Sequence, residues 1–399
     1  MEISGFFHTS SILINIAFAL ISNRIIGAFN PVFFVHIALA VACVFYAIVF
    51  EAAINIETLL FLQITTLAFS AGVIITSTNN KTCEARAKFN IKYYLVAFFL
   101  LTTYVAFTII SSMNGLINYI QEMNNIRNNV ANPGLDNASN YYRPSIAHIL
   151  SISISYVIVA NLALKDSLRN KIKTFPLVVV IAVIISFNDI SRARFSDLIV
   201  LYFMPIIMYS KIKYKYFKML ILFAFIFFAA LFFTYFQGKY IDEPTLYGSL
   251  KSIISYFALP LYYFSELFDS KIDHNYLGYQ TFEGVFNILH HLFGVDYTRL
   301  DNRGVGYHGY IAWLVYPSQK YLYVDYGYFL SILMYFIFGV MSSVIFNLSR
   351  SNVLYHLIYL ILMLSFINFF MGWKLTDNFY IIAIALLFIQ IILSKCKKL

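Results

Sequence analysis

Eleven runs of apolar residues are strung along this chain between short polar breaks, at roughly 8–23, 31–50, 57–77, 92–112, 144–164, 175–187, 197–210, 219–236, 321–346, 353–372 and 378–394. A helix needs about 20 mostly apolar residues to cross a bilayer core. In lipid, a crossing segment must satisfy its backbone polar groups internally, which a helix does. The expected fold is therefore an all-α polytopic integral membrane protein with about eleven transmembrane helices. It forms a single transmembrane domain over residues 1–399. Of the residues, 60% are hydrophobic and only 12% charged, against about 25% charged in soluble domains. The start of the chain, Met1-Glu2-Ile3-Ser4, lacks the basic region of a cleavable signal peptide.

The placement of charge orients the runs. The turn at Arg24, residues 79–92, 165–173, 211–218 and 347–352, and the tail 395–399 hold 17 of the 28 Lys and Arg. Of the 19 acidic residues they hold only Glu84 and Asp166. Basic loops stay on the cytoplasmic side, and an eleven-span chain starting outside places all of these segments inside. Because the basic clusters are short flanks of apolar runs, the net charge of +9 does not point to nucleic acid. Cys43 falls in a span, and Cys83 and Cys396 fall inside, so no outer disulfide framework is expected.

Two outer segments are long, 113–143 and 237–320. The second is the largest polar region, and 15 of the chain's 32 tyrosines lie in 237–328. That enrichment fits an aromatic belt at the membrane interface or a surface that stacks on sugar rings. Within it, residues 282–293 have helical periodicity. Glu283, Asn287 and His290 share one face, and Val285, Phe286, Ile288, Leu289 and Leu292 take the rest. A helix lying flat on the outer membrane surface is expected.

The feature least at home among apolar runs is the break at 188–197, which carries Asp189, Arg192, Arg194 and Asp197. Charge at membrane depth is costly and tends to mark function. An arginine fork suits phosphate oxygens, so Arg192 and Arg194 are candidate diphosphate ligands. The plainer readings are snorkelling to the interface and salt bridges to Asp189 and Asp197. The two flanking runs are short, so a pair of short helices with a polar junction is expected.

Familiar soluble signatures, such as a phosphate-binding glycine loop or a His-Glu-x-x-His motif, are not found. Neighbouring His290 and His291 point in different directions on a helix and do not suggest a joint metal site. His308, between Gly306 and Gly309, could take a proton near neutral pH. Asp325 stands at the opening of the ninth run, where it could cap a helix or orient a site residue.

Residues 310–339, with Tyr323-Val324-Asp325-Tyr326-Gly327 followed by Gly339, resemble the late segment of bacterial O-antigen polymerases of the Wzy type. There an aromatic-rich stretch leads into an Asp-aromatic-Gly at a helix start. Ser191-Arg192-Ala193-Arg194 resembles that family's arginine-bearing segment at an outer helix end, and the span layout with one large late outer loop is similar. Where the family carries an Asn-x-Tyr-Thr-like pattern, this chain has Tyr307-His308-Gly309-Tyr310. Related O-antigen ligases carry a histidine in the corresponding loop. The resemblance implies an inner-membrane glycosyltransferase that polymerises polyprenyl (undecaprenyl) diphosphate-linked oligosaccharides on the periplasmic face, in company with membrane lipid and a chain-length regulator protein. Arg192, Arg194, Arg299 and Arg303 would then bind diphosphate. His308, Asp325 and Glu283 are the candidate catalytic residues, and Tyr307, Tyr310 and Trp313 would hold sugars. No cofactor and no metal are expected, since arginines can offset the charge on the departing diphosphate. Two alternatives stand beside it: a ligase of the same chemistry with another acceptor, and a non-enzymatic flippase of lipid-linked sugars. The flippase should line a path through several spans with charge.

Overall fold

A computed structural model describes residues 2–27, 30–50, 54–77, 92–112, 146–164, 168–189, 192–209, 224, 227–228, 231, 245–269, 278–296, 318–351, 353–367 and 378–396. Its main helices are α1 (Glu2–Ile25), α2 (Pro31–Phe50), α3 (Ile56–Thr76), α4 (Lys92–Ser112), α5 (Ile146–Ala163), α6 (Leu168–Asp189), α7 (Arg192–Tyr209), α8 (Leu246–Asp269), α9 (Glu283–Phe293), α10 (Ser318–Ser351), α11 (Val353–Ile367) and α12 (Asn378–Cys396). Among the described residues there is no strand. Among the described residues five helices are long and apolar enough to cross a membrane, within α1, α2, α3, α5 and α10, and shorter apolar helices lie in α4, α6, α11 and α12. The run at 219–236 falls almost wholly outside the described residues.

The burial pattern is that of a protein in lipid. Along α1, His8, Ser11, Asn15 and Ser22 are buried, while Phe6, Leu13, Ile14, Leu20, Ile21 and Ile25 are exposed. Water would select the reverse arrangement. In a membrane, apolar side chains can face the tails, and small or polar ones mediate helix contact.

The chain divides into two compact units. The first comprises Met1–Arg86, Leu231–Leu300 and Val315–Asn378, and so holds α1 to α3 and α8 to α11. Its tightest pair is α3 with α10. A Cβ on Gly72 would run into the Phe336 carbonyl oxygen, and one on Gly339 into that of Phe69. The two helices run in the same direction: Phe61 packs on Tyr323 and Tyr328 at their starts, and the Asn347 amide donates to the Thr76 carbonyl at their ends (2.9 Å).

Helix α8 runs alongside α2 in the same direction, with Phe257 against Phe45 and Tyr262 against Phe50. Residues 237–320 read as an outer segment with short amphipathic helices, and a twelfth span within 256–268 is the reading the basic tail at 395–398 argues against; the helix found there is 24 residues long. Its Lys251 and Glu266 and its serines dilute the apolar signal, yet Ser249, Ser252, Ser255 and Ser265 are buried. A serine facing protein weakens hydropathy without exposing polar surface to lipid.

The second unit comprises Ala87–Ala230, Asp301–Leu314 and Phe379–Leu399. In it α5 is buried along almost its whole length, and α4, α6 and α7 pack against it. The expected short helices flanking the polar break prove longer than the apolar runs. Asp189 closes α6 and Arg192 opens α7, so the charges belong to helix ends.

Candidate functional site

In the second unit, three helices bring a charged cluster together. Arg194 and Asp197 lie three residues apart on α7, which puts them on one face. Both are buried, at 8% and 4% exposure. From the first turn of α12, Phe379 presents its ring to the Arg194 guanidinium, whose carbon lies 4.6 Å from the ring centroid. The neighbouring Tyr380 ring lies 5.9 Å from it. The Tyr380 hydroxyl donates to Asp197 Oδ2, and so does the Tyr156 hydroxyl of α5, at 3.2 Å. The two tyrosine rings lie 4.9 Å apart. His148, also on α5 and buried, meets the edge of Phe379. This arrangement differs from snorkelling, which would leave the guanidinium at the surface. The Arg192 side chain lies outside the described residues.

In the first unit, a second cluster forms where α10 begins. Ser318, Gln319 and Lys320 are fully buried there, and Asp325 nearly so. The Asp325 carboxylate accepts the backbone N–H of Gln280 (3.1 Å) and of Thr281 (2.6 Å). Capping its own helix is therefore not its part: it sits in the third turn of α10 and pins the turn that leads into α9. Beside it the Tyr326 hydroxyl lies so close to Gly278 that a Cβ would strike it. Two residues on, Gly327 leaves the helical conformation at φ 69°, ψ −167°, a region almost closed to residues with a Cβ. The first piece of α10 is thus set off from the long run beyond.

Glu283 is buried at the first turn of α9, where a helix N-terminus favours an acid. Helix α9 forms as its periodicity expects. Leu292 and Phe293 are exposed, Phe293 by 74%, so the apolar end faces outward and the acidic start faces the protein. Two of the tyrosines of 237–328 go into packing: Tyr323 and Tyr328 join Phe61, Phe264 and Phe268 in one aromatic cluster, with Phe268 and Tyr323 stacked at 4.8 Å.

A third polar group, which the sequence reading passed over, links α1, α2 and α3. His36 is fully buried, with Nδ1 2.5 Å from Asn15 Oδ1 and Nε2 2.8 Å from Ser70 Oγ. An amide oxygen only accepts, so Nδ1 is the donor. Asn15 donates in turn to the Ser11 carbonyl (2.7 Å), and Gln63 donates to the Ser11 hydroxyl. The signal was present as polar residues at helical spacing along α1.

Arg299, Arg303, Tyr307, His308, Tyr310 and Trp313 lie outside the described residues. Among the described residues, no group of three His, Cys, Asp or Glu is arranged to hold a metal. Comparison with family models, curated proteins and solved structures finds no match in any of the three.

Proposed function

We propose that this chain is a membrane glycosyltransferase that polymerises polyprenyl-diphosphate-linked oligosaccharide repeat units of O-antigen or capsule type. It would act at the periplasmic face of a bacterial inner membrane. The acceptor hydroxyl oxygen bonds the anomeric carbon of the donor glycan. The bond from that carbon to the diphosphate oxygen breaks, its electron pair leaves on the diphosphate, and the hydroxyl proton passes to a base.

The observation that carries this reading is the buried Arg194, stacked on Phe379 beside a carboxylate that two tyrosine hydroxyls hold. A cation kept inside protein at the start of a membrane helix is suited to an anion that arrives on a lipid. For the base, Asp325 is the weaker candidate, because two backbone donors already engage its carboxylate. It is better placed to position the turn before α9. Glu283 and His308 remain for proton transfer.

The test is the glycan pattern. Arg194→Ala should collapse the polymer ladder to single repeat units while protein level holds. Arg194→Lys, which keeps the charge but loses the fork, should lower activity by about one to two powers of ten, the worth of a charge-assisted hydrogen bond. A full ladder in Arg194→Lys would remove the diphosphate assignment.

The flippase alternative gains one observation, the buried polar network of Asn15, His36 and Ser70 inside three apolar helices. Deletion separates the readings. A polymerase leaves core plus one repeat unit, a ligase leaves lipid-linked polymer, and a flippase leaves no outer-face repeat units.

A further inference from the structure

We propose that the start of α10 is a binding site for a phosphate-class oxyanion, set at membrane depth within the first unit. The inference is independent of the Arg194 assignment, which concerns the other unit.

The site follows from a fold-back in α10. The Tyr335 hydroxyl donates to the Ser318 hydroxyl oxygen at 2.9 Å, across 17 residues of the same helix. Seventeen residues of straight helix span about 26 Å, well beyond the reach of a tyrosine and a serine side chain. The first piece, residues 318–326, therefore doubles back on the run that begins after Gly327. Packing against α3 sets the depth. Tyr335 lies about one turn before Gly339, which meets the backbone of Phe69 in the second half of α3. Because α3 and this run are parallel, Ser318 is level with the middle of α3 and not with its start. Helix α3 is one of those long and apolar enough to cross a membrane.

A helix that begins at this depth brings there the N–H groups of its first turn, which have no intrahelical acceptor. Pro317 precedes it in the sequence, and proline suits the first position of a helix. Half-helices that start inside a membrane protein turn their positive ends toward anionic groups. A second observation points to a ligand. Gln319, in the first turn, is fully buried, and its amide nitrogen has no hydrogen-bond partner. Its amide oxygen accepts from the Ser318 hydroxyl (3.2 Å), so the side chain is oriented and its N–H bonds remain to be used. Lys320 adds a fully buried cation to the same turn. Asp325, about two turns on from Ser318, is engaged by the backbone N–H groups of Gln280 and Thr281. Backbone N–H, amide N–H and ammonium are all donors. Such a set suits an oxyanion, and phosphate oxygens meet it whether the group is free or borne on a lipid.

The test uses the full-length protein in lipid nanodiscs, titrated with inorganic pyrophosphate and, separately, with farnesyl diphosphate. Every variant carries Arg194→Ala, or Arg194→Gln if the alanine form does not fold, which removes the other proposed anion ligand. In that background the protein should still bind. Gln319→Leu should weaken binding about tenfold, the scale of one hydrogen bond to a charged group. Gln319→Glu, which sets a carboxylate against the anion, should abolish it; if that variant does not fold, Gln319→Leu carries the comparison. Leucine removes a buried donor that has no partner, so the melting temperature without probe should hold or rise, and lost affinity is then not lost folding. Binding of both probes assigns the site to the diphosphate group itself, of pyrophosphate alone to the free anion, and of farnesyl diphosphate alone to the lipid-linked form; each supports the site. Unchanged affinity in Gln319→Leu overturns it. Binding in wild type that vanishes when Arg194 alone is replaced also overturns it and leaves the Arg194 reading standing. A wild-type protein that binds neither probe overturns both.

Discussion

Asp325 shows how much one buried side chain can decide. Its two oxygens take two consecutive backbone N–H groups from a turn more than forty residues earlier in the chain. Hydrogen bonds to a charged group are each worth about 1.5–3 kcal/mol, and a buried donor left without its partner costs about 1–3 kcal/mol. Asp325→Ala should therefore loosen the 278–282 turn and lower the melting temperature, whereas Asp325→Asn, which can still accept one bond, should lower it less. Limited proteolysis near Gly278 alongside thermal unfolding would check both. Equal stability of Ala and wild type would show that the turn is held by other contacts. His36 gives a parallel case in the apolar interior. His36→Leu leaves Asn15 and Ser70 without their bridge and should destabilise by a similar one to three kcal/mol, read as a drop in melting temperature in detergent. What the sequence made legible at this scale was the type of residue, not the partner. Arg194 stood out because charge is rare in an apolar run. Tyr156, Phe379 and Tyr380 did not, because aromatic residues are plentiful in this chain and their role depends on which helices meet.

At the scale of elements, the apolar runs translated well into helices because a membrane helix is specified by length and composition, both visible in one dimension. The exception is α8. Hydropathy counts a polar residue equally whether it faces lipid or protein, so α8, with its inward serines, stays outside the eleven apolar runs. Helix pairing was equally hidden, since the value of Gly72 and Gly339 appears only when α3 and α10 lie together. The two glycines allow the backbones to approach, and a side chain at either would push on a carbonyl of the other helix. Gly72→Leu and Gly339→Leu should each cost several-fold in yield of folded protein. Gly5→Ala in α1, where a Cβ meets nothing within 4 Å, should be neutral or slightly stabilising, by up to about 1 kcal/mol for a helix-interior glycine replaced by alanine. Size-exclusion profiles of the three variants would test the contrast, and a monodisperse Gly72→Leu protein would argue against tight α3–α10 packing.

For the whole molecule, the directions of the helices in the first unit constrain how often the chain crosses between them. The expectation from charge puts the end of α3 inside, next to the basic residues of 79–92. Helix α10 runs parallel to α3, and its Arg350 donates to the Ile26 carbonyl at the end of α1 (2.5 Å), so these ends lie together. Helix α8 runs parallel to α2 and antiparallel to α3: Ser265, near its end, meets Thr58 at the start of α3. If the end of α3 is inside, the start of α8 is on the inner side too. The chain between residues 77 and 245 then leaves and returns to the same side, which requires an even number of crossings. The apolar runs supply five: 92–112, 144–164, 175–187, 197–210 and 219–236. The sequence expectation puts Lys211–Lys218 inside, so the expected eleven crossings and the direction of α8 disagree over 219–236, a run that lies almost wholly outside the described residues. Alkaline phosphatase fused after Gly238 should then be inactive, and fused after Tyr276 active, with α8 crossing between the two sites. A fusion at Leu399 should be inactive in either arrangement. Activity at both Gly238 and Tyr276 would mean that α8 stays on the outer side with the rest of 237–320. The placement of α8 beside α2 would then be wrong, and the large outer segment would stand as the spacing of apolar runs first suggests.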